Sequence, residues 1–344
     1  GLTLQKQFKF EDALNNFKKA ISIKPNFYEA YNNIGYLHLM CENFTDGWKY
    51  YEFRKARTLL IKLNKLSLEK LWHGEKFFGK LMVFGEQGLG DEVLFGSILN
   101  NLLKSHNNIV VKINKKLIPL FKRSFKKIKF IDQKSKIKKE DYNKFIFIGS
   151  LGKYYRNSIK SFTSNQSSFL FPNLIKKKNY NNILKKKKLK RIGISWKKGL
   201  SAEAKNLSLN DFHPILLNNQ CQFIDLQYGD TQNERSGIKK LYNINLIHFK
   251  NLNYKDDIDS LAALMSNCDL IITSANFTAQ LAGALGIPVW VLLPHIADWR
   301  WFLKRNDSLW YPNMRLFRQT IKGDWKNVIH NVNIQLKNYL INKK

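Results

Sequence analysis

LMVFGEQGLGDEVLFGSIL, residues 81–99, carries the sharpest local pattern of the chain. Its first four residues are apolar and short enough for a buried strand. The next six carry three glycines, Gly85, Gly88 and Gly90, before Asp91 opens an apolar helical run. Glycines let a backbone turn tightly and approach a ligand. A strand feeding a glycine turn and then a helix is the opening of a βαβ unit, whose ligand edge lies at the strand's carboxyl end. The turn lacks the Gly-Lys-Ser/Thr ending of a P-loop and the spacing Gly-x-Gly-x-x-Gly. Spacing alone leaves Asp91 with two readings, a carboxylate presented at that edge or an ordinary helix cap.

Downstream the same alternation repeats. NIVVKI (108–113), KIKFI (127–131) and KFIFIG (144–149) follow, separated by helical stretches. After an interruption come RIGISW (191–196), QFIDLQ (222–227), INLIHF (244–249), DLIIT (269–273), PVWVLL (288–293) and MRLF (314–317). Strands alternating with helices predict parallel sheets, here two in succession, with a ligand cleft between them. The interruption, 166–189, carries Pro172 and the lysine runs 176–178 and 185–188, and reads as a linker with a solvated basic face. WKNVIHNVNIQLKNYL (325–340) reads as a closing amphipathic helix.

Upstream the period is helical. EDALNNFKKAISIKP (11–25) puts Ala13, Phe17 and Ala20 on one face, with Pro25 just beyond the helix end. A related pattern returns in YEAYNNIGYLHLM (28–40), and Gly1 and Gly35 share a slot 34 residues apart, the tetratricopeptide period. A second repeat continues through Tyr31, Ile34 and Tyr51 and decays into DGWKYYEFRKA (46–56), as terminal repeats do. So short an array implies further repeats before Gly1 or support from the domain that follows. The expected organisation is repeat helices over 1–60, a first α/β domain over 75–165, a linker over 166–189, a second α/β domain over 190–322 and a terminal helix over 323–344.

Composition sets outer limits. The 344 residues hold 58 Lys and Arg against 26 Asp and Glu, a net charge of +32. Lysine is spread along the chain with no aromatic-basic or helix-turn-helix pattern, which favours biased residue usage over specific nucleic-acid binding. Cys41, Cys221 and Cys268 are far apart and fit reduced thiols of a cytoplasmic protein. No histidine or cysteine spacing suggests a metal site, and no cofactor is expected. The longest apolar run, 287–293, is far short of the about 18–20 residues that span a bilayer.

Two further strings can carry chemistry. In TSANFTAQLAGALGIPVWVLLP (273–294) a strand ends and a small-residue helix starts near Asn276–Thr278. Free amides at such a terminus suit a diphosphate, with Asn276, Thr278 and Gln280 as donors; Ala282, Gly283 and Ala284 equally suit close helix packing. In ISWKKGLSAEAKNLSLNDF (194–212), Lys197, Lys198 and Lys205 follow a strand end and lead to a Ser208-x-x-Asp211 capping pattern. Each lysine can neutralise phosphate or simply face solvent. Asp257-Ile258-Asp259 matches the DxD string of metal-dependent sugar transferases, yet opens an apolar helix where acids suit the dipole. Trp299, Trp301, Trp310 and Tyr311 read as packing, with Arg300 able to reach an anion.

Taken in order, GWKYYEFR, WHGEKFFGK (72–80), GEQGLGDEVLF, GISW, FIDLQYGD (223–230), DDIDSLAALM (256–265), LAGALGIPVWVLLP, DWRW, WYP, RLFRQ (315–319) and GDW (323–325) resemble one bacterial family. In it tetratricopeptide repeats precede a heptosyltransferase-like, family 9-type glycosyltransferase module of the GT-B fold, a pair of Rossmann-type domains. The resemblance implies metal-independent sugar transfer from a nucleotide-sugar to a protein or glycan acceptor, which the repeats present. It implies that Asp91 is the general base toward the acceptor hydroxyl. Gly88, Gly90, Lys205, Gln227, Asn276, Phe277, Thr278, Gln280 and Arg300 would serve the donor. The family motif Asp-Thr-x-x-x-His before the LAGALG helix is here Ala275-Asn276-Phe277-Thr278-Ala279-Gln280, without its acid and its histidine. That departure keeps open a second reading, a degenerate module serving as a nucleotide-sugar or protein-binding scaffold.

Overall fold

A computed structural model describes residues 1–162, 167–184, 189–197 and 207–341. The chain divides into two compact units, Gly1–Asn165 with Ile296–Arg305, and Gln166–His295 with Asn306–Lys344.

The first unit begins with five helices: α1 (Leu2–Lys6), α2 (Phe10–Ile23), α3 (Tyr28–Met40), α4 (Phe44–Tyr51) and α5 (Lys55–Leu63). Glu11 and Asp12 favour the start of α2 by facing its dipole, and the helix stops two residues before Pro25. Ala13 and Phe17 pack with Ala30, Ile34 and Leu37 in a small core, so the apolar face is spent on the neighbouring helix. The 34-residue period is physical. A Cβ on Gly1 would run into the Phe17 ring, and one on Gly35 would lie 2.8 Å from the backbone nitrogen of Tyr51, 34 residues after Phe17. Only glycine lets α3 and α4 approach so closely.

The rest of this unit is a parallel sheet in the order β3-β2-β1-β4, with β1 Leu81–Phe84, β2 Ile109–Ile113, β3 Lys129–Asp132 and β4 Lys144–Phe147. β1 lies between β2 and β4, pairing Leu81 with Ile109 on one side and with Lys144 on the other. Successive strands run away from β1 through β2 and β3, then return to its other side as β4. That reversal makes a topological switch point at the carboxyl ends of β1 and β4, where α6 (Leu89–Gly96) begins.

The second unit is a five-stranded parallel sheet, β6-β5-β7-β8-β9, with β5 Lys190–Ser195, β6 Cys221–Asp225, β7 Leu270–Ser274, β8 Val289–Leu293 and β9 Met314–Arg318. β7 and β8 are buried at every position, which accounts for their unbroken apolar sequence. The C-terminal helix Trp325–Ile341 contributes Val328, Ile329, Val332, Leu336 and Leu340 to the core against the sheet.

Three expectations change. The stretch 244–249 forms a single bridge, Ile224 to Ile247, and no strand. The segment expected as a linker, 166–189, contains the helix Leu174–Leu184. Lys176 there pairs with Asp257 and Asp259 at 3.6 and 3.2 Å, and the amides of Phe169 and Leu170 bond to the carbonyl of Ala284 at 3.0 and 3.1 Å. These bonds tie the described part of the segment into the second unit. Conversely, 296–305 belongs with the first unit, although it lies within the range 190–322 expected for the second domain.

Candidate functional site

In the first unit the site grows from the end of β1. Gly85 continues the ladder by donating to the carbonyl of Lys112 at 2.7 Å, and Gln87 takes a left-handed conformation, φ +66°. Gly88 is then the N-cap of α6, in extended backbone, and Gly90 lies in its first turn. Gly88 faces open space, so a side chain there would meet nothing in the chain. Asp91 is therefore no cap. It stands in the first turn, where a carboxylate is favoured by the free amides.

Asp91 is paired with Arg300, whose Nε donates to Oδ1 at 2.9 Å and whose Nη2 donates to the same oxygen. Both side chains keep 17% of their exposure, so the pair is mostly buried. Burial pushes the Asp91 carboxyl above its ordinary range, and Arg300 pulls against that shift without cancelling it. The guanidinium lies 4.6 Å over the Trp299 ring and also reaches Asp298 at 3.4 Å. A carboxyl raised in this way has more basicity than a solvated one, as taking a hydroxyl proton requires. Its neighbour Glu92 points inward, accepts from the amide of Asn114 at 3.0 Å, and is pushed up to about 8 by burial.

Behind the turn lies a polar network, buried at Arg54, Glu86, Tyr51 and Ser150, that motif reading did not find. Arg54, 2% exposed, donates from Nε and Nη2 to the two oxygens of Glu86 at 2.8 and 2.5 Å. Its Nη2 also reaches Ser150 at 2.8 Å, and its Nη1 the carbonyl of Tyr51 at 3.0 Å. Glu86 accepts in addition from the amide of Gly149 at 3.0 Å. Gln87 donates to the Tyr51 hydroxyl at 2.6 Å. Glu86 follows β1 and Gly149 follows β4, so Arg54 fills the switch point of this sheet from the repeat side. One signal was available. Arg54 stands 34 residues after Ala20, a charged residue in a small-residue slot.

In the second unit the site grows from the ends of β5 and β7, again at a switch point. Asn276 caps the helix Phe277–Ala284, accepting from the amide of Ala279 at 3.3 Å. Its Nδ2 donates to Ser195 Oγ at 2.8 Å and to the carbonyl of Lys197 at 3.1 Å. Thr278, buried, reaches Ser195 Oγ at 3.4 Å, and Phe277 is half-buried at the first helical position. Asn276, Thr278 and Gln227 thus converge on Ser195. Gln227 is buried and uses its Oε1 to accept from Ser195 Oγ, the amide of Trp196 and the amide of Lys197, at 3.1, 2.9 and 2.8 Å. It holds the strand-end turn. Gln280 turns its Oε1 to the Tyr311 hydroxyl at 2.8 Å.

The structure thus brings together Asp91 and Arg300 in one unit, and Gln227, Asn276 and Thr278 in the other. Arg300, expected among the donor residues, is engaged with the acid. Lys205 and Lys198 lie outside the described residues; Lys197 is ion-paired with Glu234. Ser208 and Asp211 form the expected reciprocal cap. Asp257 caps the helix Ile258–Met265 by accepting from the Ser260 amide at 2.9 Å, which accounts for the DxD string. Trp299, Trp301, Trp310 and Tyr311 are all buried, as packing requires.

Comparison with known proteins agrees with this architecture. A family model described as TPR repeat matches residues 3–40. Protein FlbA of Caulobacter vibrioides is 28% identical over 316 residues, which are 86% of this chain and 52% of FlbA. The chain thus spans about half the length of that relative. A family 9 glycosyl transferase from Veillonella parvula superposes with a TM-score of 0.56 at 12% identity, covering 80% of this chain and all of that one. The ADP-heptose lipopolysaccharide heptosyltransferase II of Escherichia coli does so with a TM-score of 0.50 at 14% identity, covering 77% and 99%. Tetratricopeptide helices followed by a heptosyltransferase-like GT-B fold describe the chain.

Proposed function

We propose that this chain, a tetratricopeptide segment joined to a heptosyltransferase-like glycosyltransferase fold, transfers a sugar from a nucleotide-sugar to a protein or glycan acceptor. The acceptor oxygen forms a bond to the anomeric carbon as the bond from that carbon to the diphosphate oxygen breaks. The leaving nucleoside diphosphate keeps the electron pair, and Asp91 takes the hydroxyl proton. The observation that carries this reading is Asp91 itself. It is a largely buried carboxyl in the first turn of α6, raised by burial and hydrogen-bonded by Arg300. The amide end at Asn276–Thr278, half-buried at Asn276 and Phe277, suits the donor diphosphate, with Lys205 as its cation and no metal required. The repeats are assigned to acceptor recognition. Three unpaired cysteines fit a cytoplasmic setting.

A second reading has its own support. Gln227 and Gln280 spend their side-chain oxygens on the chain's own groups, and the motif acid and histidine are missing. In that case the module binds a nucleotide-sugar or a protein without turnover. Nucleotide release across UDP-, GDP- and ADP-sugars, with Asp91→Asn beside the natural chain, separates the two. Release of one nucleotide, lost in the variant, is the expected result. A thermal shift with a donor but no release in either protein supports the scaffold, and equal release in both refutes Asp91 as the base.

A further inference from the structure

We infer that the last repeat is part of the catalytic unit, and that Tyr51 and Arg54 are positioning residues which fix the turn carrying Asp91. The inference rests on Asp91 serving the acceptor. Three sets of contacts run from the repeat to the residues that flank Asp91 and Arg300. Arg54 clamps Glu86, the second residue of the turn and fully covered, through two hydrogen bonds, and also bonds Ser150 in the segment after β4. The Tyr51 hydroxyl holds Gln87, whose left-handed backbone sets the direction in which the chain enters α6. The third contact is aromatic and reaches the partner of Asp91. Trp299, adjacent to Arg300, stacks on Tyr36 of α3 at 6.4 Å and 10° and lies edge-on to Tyr51 at 5.5 Å and to Trp48 at 5.7 Å.

The segments that carry Asp91 and Arg300 are therefore held by α3, α4 and Arg54, the cap of α5. Glu42 adds an ion pair to Arg305 at 3.5 Å, just beyond the same segment. The positions used are those the repeat period reserves for repeat-to-repeat packing. Tyr51 occupies the slot of Phe17 and Arg54 the slot of Ala20. Where a third repeat would stack, the chain instead presents a hydroxyl and a guanidinium to the turn. A carboxylate displaced by about 1 Å from a productive geometry loses on the order of a hundredfold in rate, so anchoring of this kind acts on turnover more than on binding.

Tyr51→Phe removes only the hydroxyl and keeps the packing. Gln87→Asn withdraws the other partner while retaining a residue tolerant of the left-handed region. Each is expected to lower kcat by about tenfold with the donor KM unchanged, and the double variant to lose no more than either alone, as coupled sites do. Hydrogen exchange of the 85–92 amides should rise in both. Unchanged kcat, additive losses, or a loss confined to KM would overturn the inference. Asp91→Asn, run in parallel, keeps the two claims apart. If it abolishes transfer while Tyr51→Phe is silent, only the positioning role falls. If it leaves transfer intact, the base assignment falls first and takes the positioning role with it.

Discussion

Replacing Arg54 by methionine tests the buried network most directly. The guanidinium is 2% exposed and the Glu86 side chain is fully covered, so the change strands a carboxylate in the interior with the Gly149 amide as its remaining close donor. Breaking a buried ion pair by removing one partner costs about 3–5 kcal/mol. Against a domain stability of about 5–15 kcal/mol, that is a large share. At about 1.4 kcal/mol per tenfold, amides in β1 and β2 that exchange through unfolding of the first unit should exchange at least about a hundredfold faster. Exchange read on those peptides isolates this unit, which a whole-chain melt does not. The double variant Arg54→Met/Glu86→Gln removes both charges and should recover much of the loss, because two uncharged side chains of similar volume no longer need each other. A single-variant loss below about 1 kcal/mol would refute the account of Glu86 as a buried charge, as would a double variant no better than the single.

Two other perturbations follow from the same unit. Gly35→Ala sets a methyl 2.8 Å from the Tyr51 amide nitrogen, a backbone atom that cannot step aside; α3 and α4 must separate, at about 1–3 kcal/mol, seen as faster exchange across both helices. Glu92, raised by burial from 4.5 to about 8, binds its proton more tightly folded than unfolded, so its contribution to stability is complete below about pH 4.5 and lost as pH rises through 8. The urea midpoint of the first unit should therefore decline across that window, and Glu92→Gln should flatten the decline; an unaltered slope in the variant would rule Glu92 out as its source.

Local pattern made much of the fold legible. Buried runs such as LIITS and VWVLL declare strands because parallel sheets bury both faces, and the glycine turn after LMVF locates the edge where α6 begins. The stretch 244–249 shows the limit of that signal. Its alternation reports half-burial, which a single bridge beside an edge strand satisfies as well as a ladder does. The helix 174–184 was hidden by its lysines, since an intermittent apolar contact and one Lys176 clamp suffice to dock it. At the site, Asp91 could be singled out because a motif surrounds it. Its partner Arg300 is 209 positions away, and Arg54 is 32 positions from Glu86, so neither pairing has a local signature. Such pairs become visible only when strand order brings them to one crevice. Gln227 illustrates the reverse case, a strand-end amide whose oxygen serves three groups of its own chain.

The slot substitution at Ala20 and Arg54 bears on how such a chain can be rearranged. Repeat arrays are commonly lengthened, shortened or exchanged as cassettes, because each repeat meets its neighbours through interchangeable small and apolar residues. Here the last cassette is not interchangeable. A cut at residue 60 or 75, where a border drawn from sequence would fall, leaves Glu86 without its cation and Trp299 without its aromatic bed. Any exchange of repeats must carry α3, α4 and Arg54 together with the turn they hold.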